Sequence, residues 1–254
     1  MFGRVLYSRF TRCHDPLLSD PRHTLSTEGV IVVANTDHAF SRIMRDAAFG
    51  SYPPHDRTAE IVGALPGPCD AVAFMPGHTV VAADVDQDWL YDKLKYQQNR
   101  ESNDPSTGLG LFLAAMADRL GNPPMYASVL TVAPHRAAMR RGQLTEQGGA
   151  HRGWADYRTD VRSYRYTAGT TQGNVDMGIG PGGRWDVYVR VDSSQQGGGG
   201  PSRELLSTAL TMVPAGEQLF GSAPVHDTRA LRTMLSGGFT PICTEVLFLT
   251  RPQG

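Results

Sequence analysis

Between Gln195 and Arg203 the chain reads Gln195, Gln196, then Gly197, Gly198, Gly199 and Gly200, then Pro201, Ser202 and Arg203. Four consecutive residues without Cβ strip the turn of side chains, so backbone N–H groups are what it offers a ligand. The flanking residues say where that turn lies. Trp185–Val191 carries valine at positions 187, 189 and 191, alternating with Tyr188 and Arg190, the period of a strand. Pro201–Ser202 suits the first turn of a helix, and Leu205, Leu206, Ala209, Leu210 and Val213 lie on one face of it. A glycine turn feeding a helix N-terminus is an anion site, because unpaired amides and the helix dipole both favour negative charge. A phosphate ester is the guest this arrangement predicts.

The elements that follow give the turn a context. A strand begins at Leu219–Phe220; the run HDTRALRTMLSGGF reads as a helix stopped by Gly237–Gly238; ICTEVLFLT is a further strand. Strand, glycine loop, helix, strand, helix ending in Gly-Phe, strand: this order resembles the acyl-CoA-binding half of the GNAT superfamily of N-acyltransferases. The family's Gln/Arg-x-x-Gly-x-Gly/Ala loop is matched by Gln195–Gly200. Its Asn-x-x-Ala and later Gly-Phe are matched by Asp227-Thr228-Arg229-Ala230 and Gly238-Phe239. The resemblance covers roughly residues 160–252. Counted from Gln195, the small-residue positions fall on Gly198 and Gly200; counted back from Leu205–Leu206 they fall on Gly200 and Ser202. Both registers stand.

The resemblance implies a fold and a chemistry. The fold is α/β (α+β): a mixed, mostly antiparallel sheet flanked by helices. The co-substrate is acyl-CoA, as acetyl-CoA or a longer-chain acyl-CoA, with its diphosphate on residues 195–203 and its pantetheine arm bonded to main chain near Val189 and Val191. Asp227 stands where the family has a pantetheine-facing Asn, and is an excellent helix N-cap in any case. Asp186 lies near the family's carboxylate base. The family's general-acid tyrosine is replaced by Met234, which cannot donate a proton, so His226 beside Asp227 becomes the candidate. Trp154 and Arg158, four apart and hence on one face if helical, fall where the family builds its acceptor wall. Each has a plainer reading: valines as core, Asp186 as an exposed strand carboxylate, His226 as a solvated cap neighbour, Trp154 closing a core.

Composition bounds the alternatives. With 24 basic and 25 acidic residues in 254, the chain has no electrostatic footprint for nucleic acid. Cys13, Cys69 and Cys243 are too few and too scattered for a disulfide framework or a zinc cluster, so no metal is expected. A reduced, cytoplasmic setting fits; MFGRVLYSRFTRC interleaves charge with apolar residues, unlike a signal peptide, and no apolar run reaches membrane-spanning length. No G-x-S-x-G or H-E-x-x-H occurs. Gly178–Gly183 satisfies G-x-G-x-x-G, but it precedes a strand rather than a helix and reads as a hairpin turn.

Residues 1–135 read as a separate α/β half, either an accessory part or a degenerate GNAT-like repeat. Strands are expected at GVIVVAN, AEIVGAL, CDAVAFM, HTVVAADV and ASVLTVA, with Thr36–Asp37 capping a helix from His38 and His78 in a turn after Pro76–Gly77. Helices are expected at QDWLYDKLKYQQ and GLGLFLAAMADRLG. Residues 136–153 read as a linker, and 154–254 as the acyl-CoA-binding domain. The reading is an N-acyltransferase, monomer or homodimer, acting on a small-molecule amine held between the halves. The favoured acceptor is the aminosugar of a glycopeptide antibiotic intermediate. The alternatives are an antibiotic self-resistance acetyltransferase using acetyl-CoA, or a non-catalytic acyl-CoA-binding regulator.

Overall fold

The computed structural model describes residues 38–98, 105–125, 127–137, 142–151, 157–192 and 199–249. Expectations that fall elsewhere, including the GVIVVAN strand, Cys13, Trp154 and Gln195–Gly198, lie outside the described residues. The fold is a mixed, mostly antiparallel sheet flanked by helices. Its ten strands are β1 (Ala59–Ile61), β2 (Cys69–Met75), β3 (His78–Ala82), β4 (Ser128–Pro134), β5 (Gln143–Gln147), β6 (Thr159–Ala168), β7 (Thr171–Ile179), β8 (Trp185–Val191), β9 (Gln218–Pro224) and β10 (Thr240–Leu249). They lie in the order β1-β3-β2-β10-β4-β9-β8-β7-β6-β5. Only β1–β3 and β8–β9 are parallel pairs. Strands from before and after the expected linker alternate at the centre, where β10 is seated between β2 and β4. Gln143–Gln147, within the segment read as a linker, pairs with β6 as the edge strand β5.

Among the described residues, five α-helices flank the sheet: α1 (Ala39–Ala48), α2 (Gln87–Gln98), α3 (Pro105–Leu120), α4 (Gly199–Ala209) and α5 (Thr228–Ser236). The sheet has two apolar faces because its strands alternate. Ala71, Ala73, Val80 and Ala82 pack with Phe40, Met44 and Ala47 of α1. Val72, Val81 and Val246 face the other way, onto Leu90 of α2 and Phe112 and Met116 of α3. On that second face further along, Val175, Met177, Val187 and Leu219 bury against Leu205, Leu206 and Ala209 of α4 and Met234 of α5. Each large aliphatic side chain fully removed from water there is worth about 1.5–3 kcal/mol.

Two local expectations change. The N-cap of α1 is His38, whose Nδ1 accepts from the Phe40 N–H at 3.2 Å, rather than Thr36 or Asp37. His78 is not a turn histidine: it opens β3, is buried, and its Nδ1 lies 2.9 Å from Asp56 Oδ1. Asp56 also accepts from the N–H and hydroxyl of Thr58, so the loop before β1 is tied to the start of β3.

Hydrogen bonding to His78, then to Thr58, pulls the Asp56 carboxyl down to about 2. A carboxyl lowered in the folded state stabilises fully above its unfolded pKa, near 4, and loses that contribution as pH falls toward 2. Asp56→Asn should therefore lower stability at pH 7 and flatten the acid limb between pH 4 and 2, so that variant and wild type converge near pH 2. Urea midpoints measured across that range check it; an unchanged limb refutes it.

Candidate active site

The residues on which the sequence reading places its site flank the point where β8 leaves β9. Their parallel ladder has three rungs, Trp185–Leu219, Asp186–Phe220 and Val187–Gly221. β8 then runs on to Val191 while β9 runs on to Pro224, each paired on its outer side only, with β7 and β4. Which backbone groups face the gap follows from alternation. Gly180 N donates to Arg184 O at 2.8 Å, and Asp192 N to Gln172 O at 3.1 Å, so even-numbered residues of β8 bond to β7. Odd-numbered residues turn their N–H and C=O toward β9. Val187 is the last of them inside the ladder; Val189 and Val191 lie beyond it, and among the described residues no strand ladder covers them on that side. Two parallel strands joined through a helix diverge readily, because nothing but that short ladder holds them together.

Helix α4 stands over this opening. It begins at Gly199, two residues earlier than the sequence pattern suggests, and its first turn holds Gly200, Pro201 and Ser202, with exposed Arg203 next. N–H groups of a first turn have no acceptor within the helix. A Cβ added at Gly200 would meet nothing within 4 Å. Tyr166, fully buried on β6, donates its hydroxyl to Glu204 at 2.8 Å and fixes the helix on the sheet. Asp227 caps α5 as expected, accepting from Ala230 N at 2.9 Å. His226 is exposed in the turn between β9 and α5. Met234 is buried; a Cβ at Gly221 would lie 3.0 Å from its Sδ and Cε, so glycine there lets α5 sit close on β9.

Asp186, expected as the proton acceptor, is committed elsewhere. Its Oδ2 receives Arg158 Nε at 2.9 Å and Nη2 at 2.7 Å, and its Oδ1 receives Arg184 Nε at 3.0 Å. Arg184 continues to Glu245 on β10 by a two-pronged bond, 2.7 Å on each prong. All four side chains are buried. Both oxygens of the carboxylate are thus occupied by guanidinium donors. Arg158 is likewise not on a helical face with Trp154: it precedes β6 directly and belongs to this network. A bulge between Thr159 and Arg162, with Asp160 at φ 49°, aims the chain so that it reaches Asp186.

The network sets its surroundings. Burial opposes the charge on Arg184, but Asp186 and Glu245 outweigh it and hold the guanidinium firmly protonated. Burial pushes the Tyr157 hydroxyl up to about 12, and the Cys69 thiol likewise to about 12, Glu245 adding to the latter. Cys243 is driven up further by burial. Neither cysteine is a nucleophile at neutral pH, and among the described residues no cluster of ligating side chains could hold a metal.

The sequence reading missed His151. Its N–H donates to Asp176 Oδ2 at 3.1 Å, and its ring meets Tyr188 with centroids 4.9 Å apart. Asp176, buried on β7, also accepts from Ser163 Oγ. The signal that could have found it is an ionisable residue in the connection between β5 and β6.

No family model matches this sequence, and no curated protein matches it. Partial likeness to solved structures exists. A GNAT-family acetyltransferase from Colwellia psychrerythraea is similar over 56% of this chain and 63% of its own, at 15% identity and a TM-score of 0.34. A GCN5-related N-acetyltransferase from Kribbella flavida is similar over 56% and 64%, at 13% identity and 0.36. A functionally unknown conserved protein from Staphylococcus epidermidis is similar over 59% and 69%, at 16% and 0.34. The chain thus spans slightly less than two thirds of the first two. No helix is long and apolar enough to cross a membrane among the described residues.

Arg184 touches both buried acids of the network. Arg184→Leu should cost about 3–5 kcal/mol, because Glu245 is left buried without its partner. Arg184→Leu with Glu245→Leu should recover part of that loss, since Asp186 keeps Arg158. Denaturant unfolding of both variants measures this; a double variant weaker than the single would contradict it.

Proposed function

We propose that this protein transfers an acyl group from acyl-CoA to the amine of a small molecule. The observation that carries the reading is the short β8–β9 ladder, which leaves main-chain groups of Val189 and Val191 facing a gap beside the N-terminus of α4. A pantetheine arm is a chain of secondary amides and can pair with such an open strand as a further strand would. Its diphosphate would meet the first-turn amides of Gly199, Gly200 and Ser202, with Arg203 adjacent; Pro201 has no N–H to contribute. Gln195, Gln196, Gly197 and Gly198 keep the role their loop suggests by resemblance. An amide N–H beside the thioester oxygen would stabilise the charge that develops as the amine attacks.

The reaction places limits on the acceptor. Deprotonating a lysine-like ammonium at pH 7 costs about 4–5 kcal/mol, whereas an amine with the pKa of an α-amino group costs about 1 kcal/mol. With Asp186 locked in ion pairs, the protein has no strong carboxylate base at the strand, which favours a weakly basic amine. An aminosugar, such as that of a glycopeptide antibiotic intermediate, is an acceptor of this kind. One observation favours a second reading, an acyl-CoA-binding regulator without turnover: Met234 is core, so the acid tyrosine has no replacement on α5.

Calorimetry with CoA and acetyl-CoA tests the common part, and thiol release with acyl-CoAs plus glucosamine-bearing acceptors separates the two readings. Saturable heat with thiol release supports the enzyme; heat without release supports the regulator; no heat removes both. Gly200→Ala should keep or slightly raise stability, by up to about 1 kcal/mol, since it removes a helical glycine without a clash. Gly200→Trp should fold equally well and bind CoA at least tenfold more weakly. Wild-type affinity in Gly200→Trp would show that the diphosphate lies elsewhere.

A further inference from the structure

The reading above leaves the amine's proton without a taker. Asp186 is closed off by Arg158 and Arg184, and His226 lies in the exposed turn directly before the cap of α5. Side-chain direction narrows the search. Odd-numbered residues of β8 point under α4, where Val187 belongs to the apolar core. Even-numbered residues point to the opposite face, the face of Asp186 and Phe220. A thioester lying between β8 and β9 would meet its acceptor on that second face, since α4 and α5 close the first. Tyr188 is the first even-numbered residue past the last ladder rung, and His151 packs on its ring, the two planes tilted by 40°.

His151 is held there by main chain. Its N–H reaches the buried Asp176 carboxylate, whose other oxygen is taken by Ser163 Oγ. That buried carboxylate is thereby used to fix a backbone segment, and His151 itself is exposed. Among the described residues, the titratable groups shown against His151 are Tyr188 from β8 and Asp176 from β7.

Resting on the acyl-transfer reading, we propose that His151 accepts the proton of the acceptor amine, with Tyr188 and Asp176 as its positioning residues. Neutral imidazole takes one proton from the bound ammonium. The freed nitrogen lone pair forms a bond to the thioester carbon, the C–S bond breaks, and the electron pair leaves on the CoA sulfur. A second proton passes from the new amide nitrogen to that thiolate through solvent, and the imidazolium returns its proton to water. Ammonium and thioester thus become amide, thiol and one released proton.

The test uses the full chain with acetyl-CoA and a panel of primary amines that includes glucosamine. His151→Gln should bind CoA as the wild type does by calorimetry. Its kcat/KM at pH 7 should fall about 10²–10⁴-fold, the usual worth of a positioned base. The deficit should shrink as pH rises past the amine's own pKa, and added imidazole should partly rescue His151→Ala. Asp176→Asn keeps an acceptor for Ser163 but loses the one for His151, so kcat should fall less than in His151→Gln with KM little changed. CoA binding by the wild type with an unaltered pH–rate profile in His151→Gln would overturn this assignment alone. Absence of turnover with every amine would overturn it as well. Absence of CoA binding would overturn the acyl-transfer reading, and this assignment with it.

Discussion

Asp186 sits on the middle rung of the three that join β8 to β9, and two arginines hold it there. Through Arg158 it ties β8 to the start of β6, and through Arg184 and Glu245 to β10, three strands away in the sheet order. Charges this deeply buried cost several kcal/mol each to desolvate, and that cost is offset only while every partner stays in place. The network therefore has one low-energy arrangement, and β8 is pinned just before its ladder with β9 ends. What lies beyond Val187 is free of that restraint. A gap between strands is useful as a binding site only if its apex is fixed, and the ion pairs fix it.

From that apex the two faces of the sheet take different work. The odd-numbered side chains of β8 supply apolar cover for α4 and α5, so the helix that presents first-turn amides is anchored by burial and by the Tyr166–Glu204 hydrogen bond. Gly221 on β9 lets Met234 approach closely, which seats α5 without a large side chain in the way. The even-numbered side chains carry charge and hydrogen-bonding groups on the opposite face: Asp186, Tyr188 and, across on β7, Asp176. Main chain faces the gap, the first turn of α4 carries unpaired amides, and ionisable groups occupy the opposite face.

Much of this was legible locally. β2 and α2 fall on the residues their patterns predict, the Gly178–Gly183 segment is a hairpin connection between β7 and β8, and Asp227 caps α5. What was not legible is non-local. The hairpin β6–β7 was missed because Arg165, Asn174 and Gln172 make its exposed face polar, and their hydrogen bonds form across strands. Arg184 and Glu245 are 61 residues apart, and nothing in the spacing of either announces the other. The seating of β10 between β2 and β4 is likewise a long-range pairing with no local signature. Asp186 looked like a base because its position was read without its partners.

The same geometry constrains which amine can react. On the acyl-transfer reading, an amine of pKa near 7.7 costs about 1 kcal/mol to deprotonate at pH 7, and a lysine-like amine about 4–5 kcal/mol. A buried carboxylate freed of its arginines could be tuned further upward, but this chain uses its strand carboxylate for structure. Strength of base has been given up for a rigid apex, and what remains on the reacting face is a loop imidazole held by its backbone. Under the proposed acyl transfer, such a site would suit amines weakened by neighbouring electron-withdrawing groups, as hydroxyls do in an aminosugar, better than an isolated alkylamine. Acceptor selectivity would then follow as much from the amine's acidity as from the shape of the cleft.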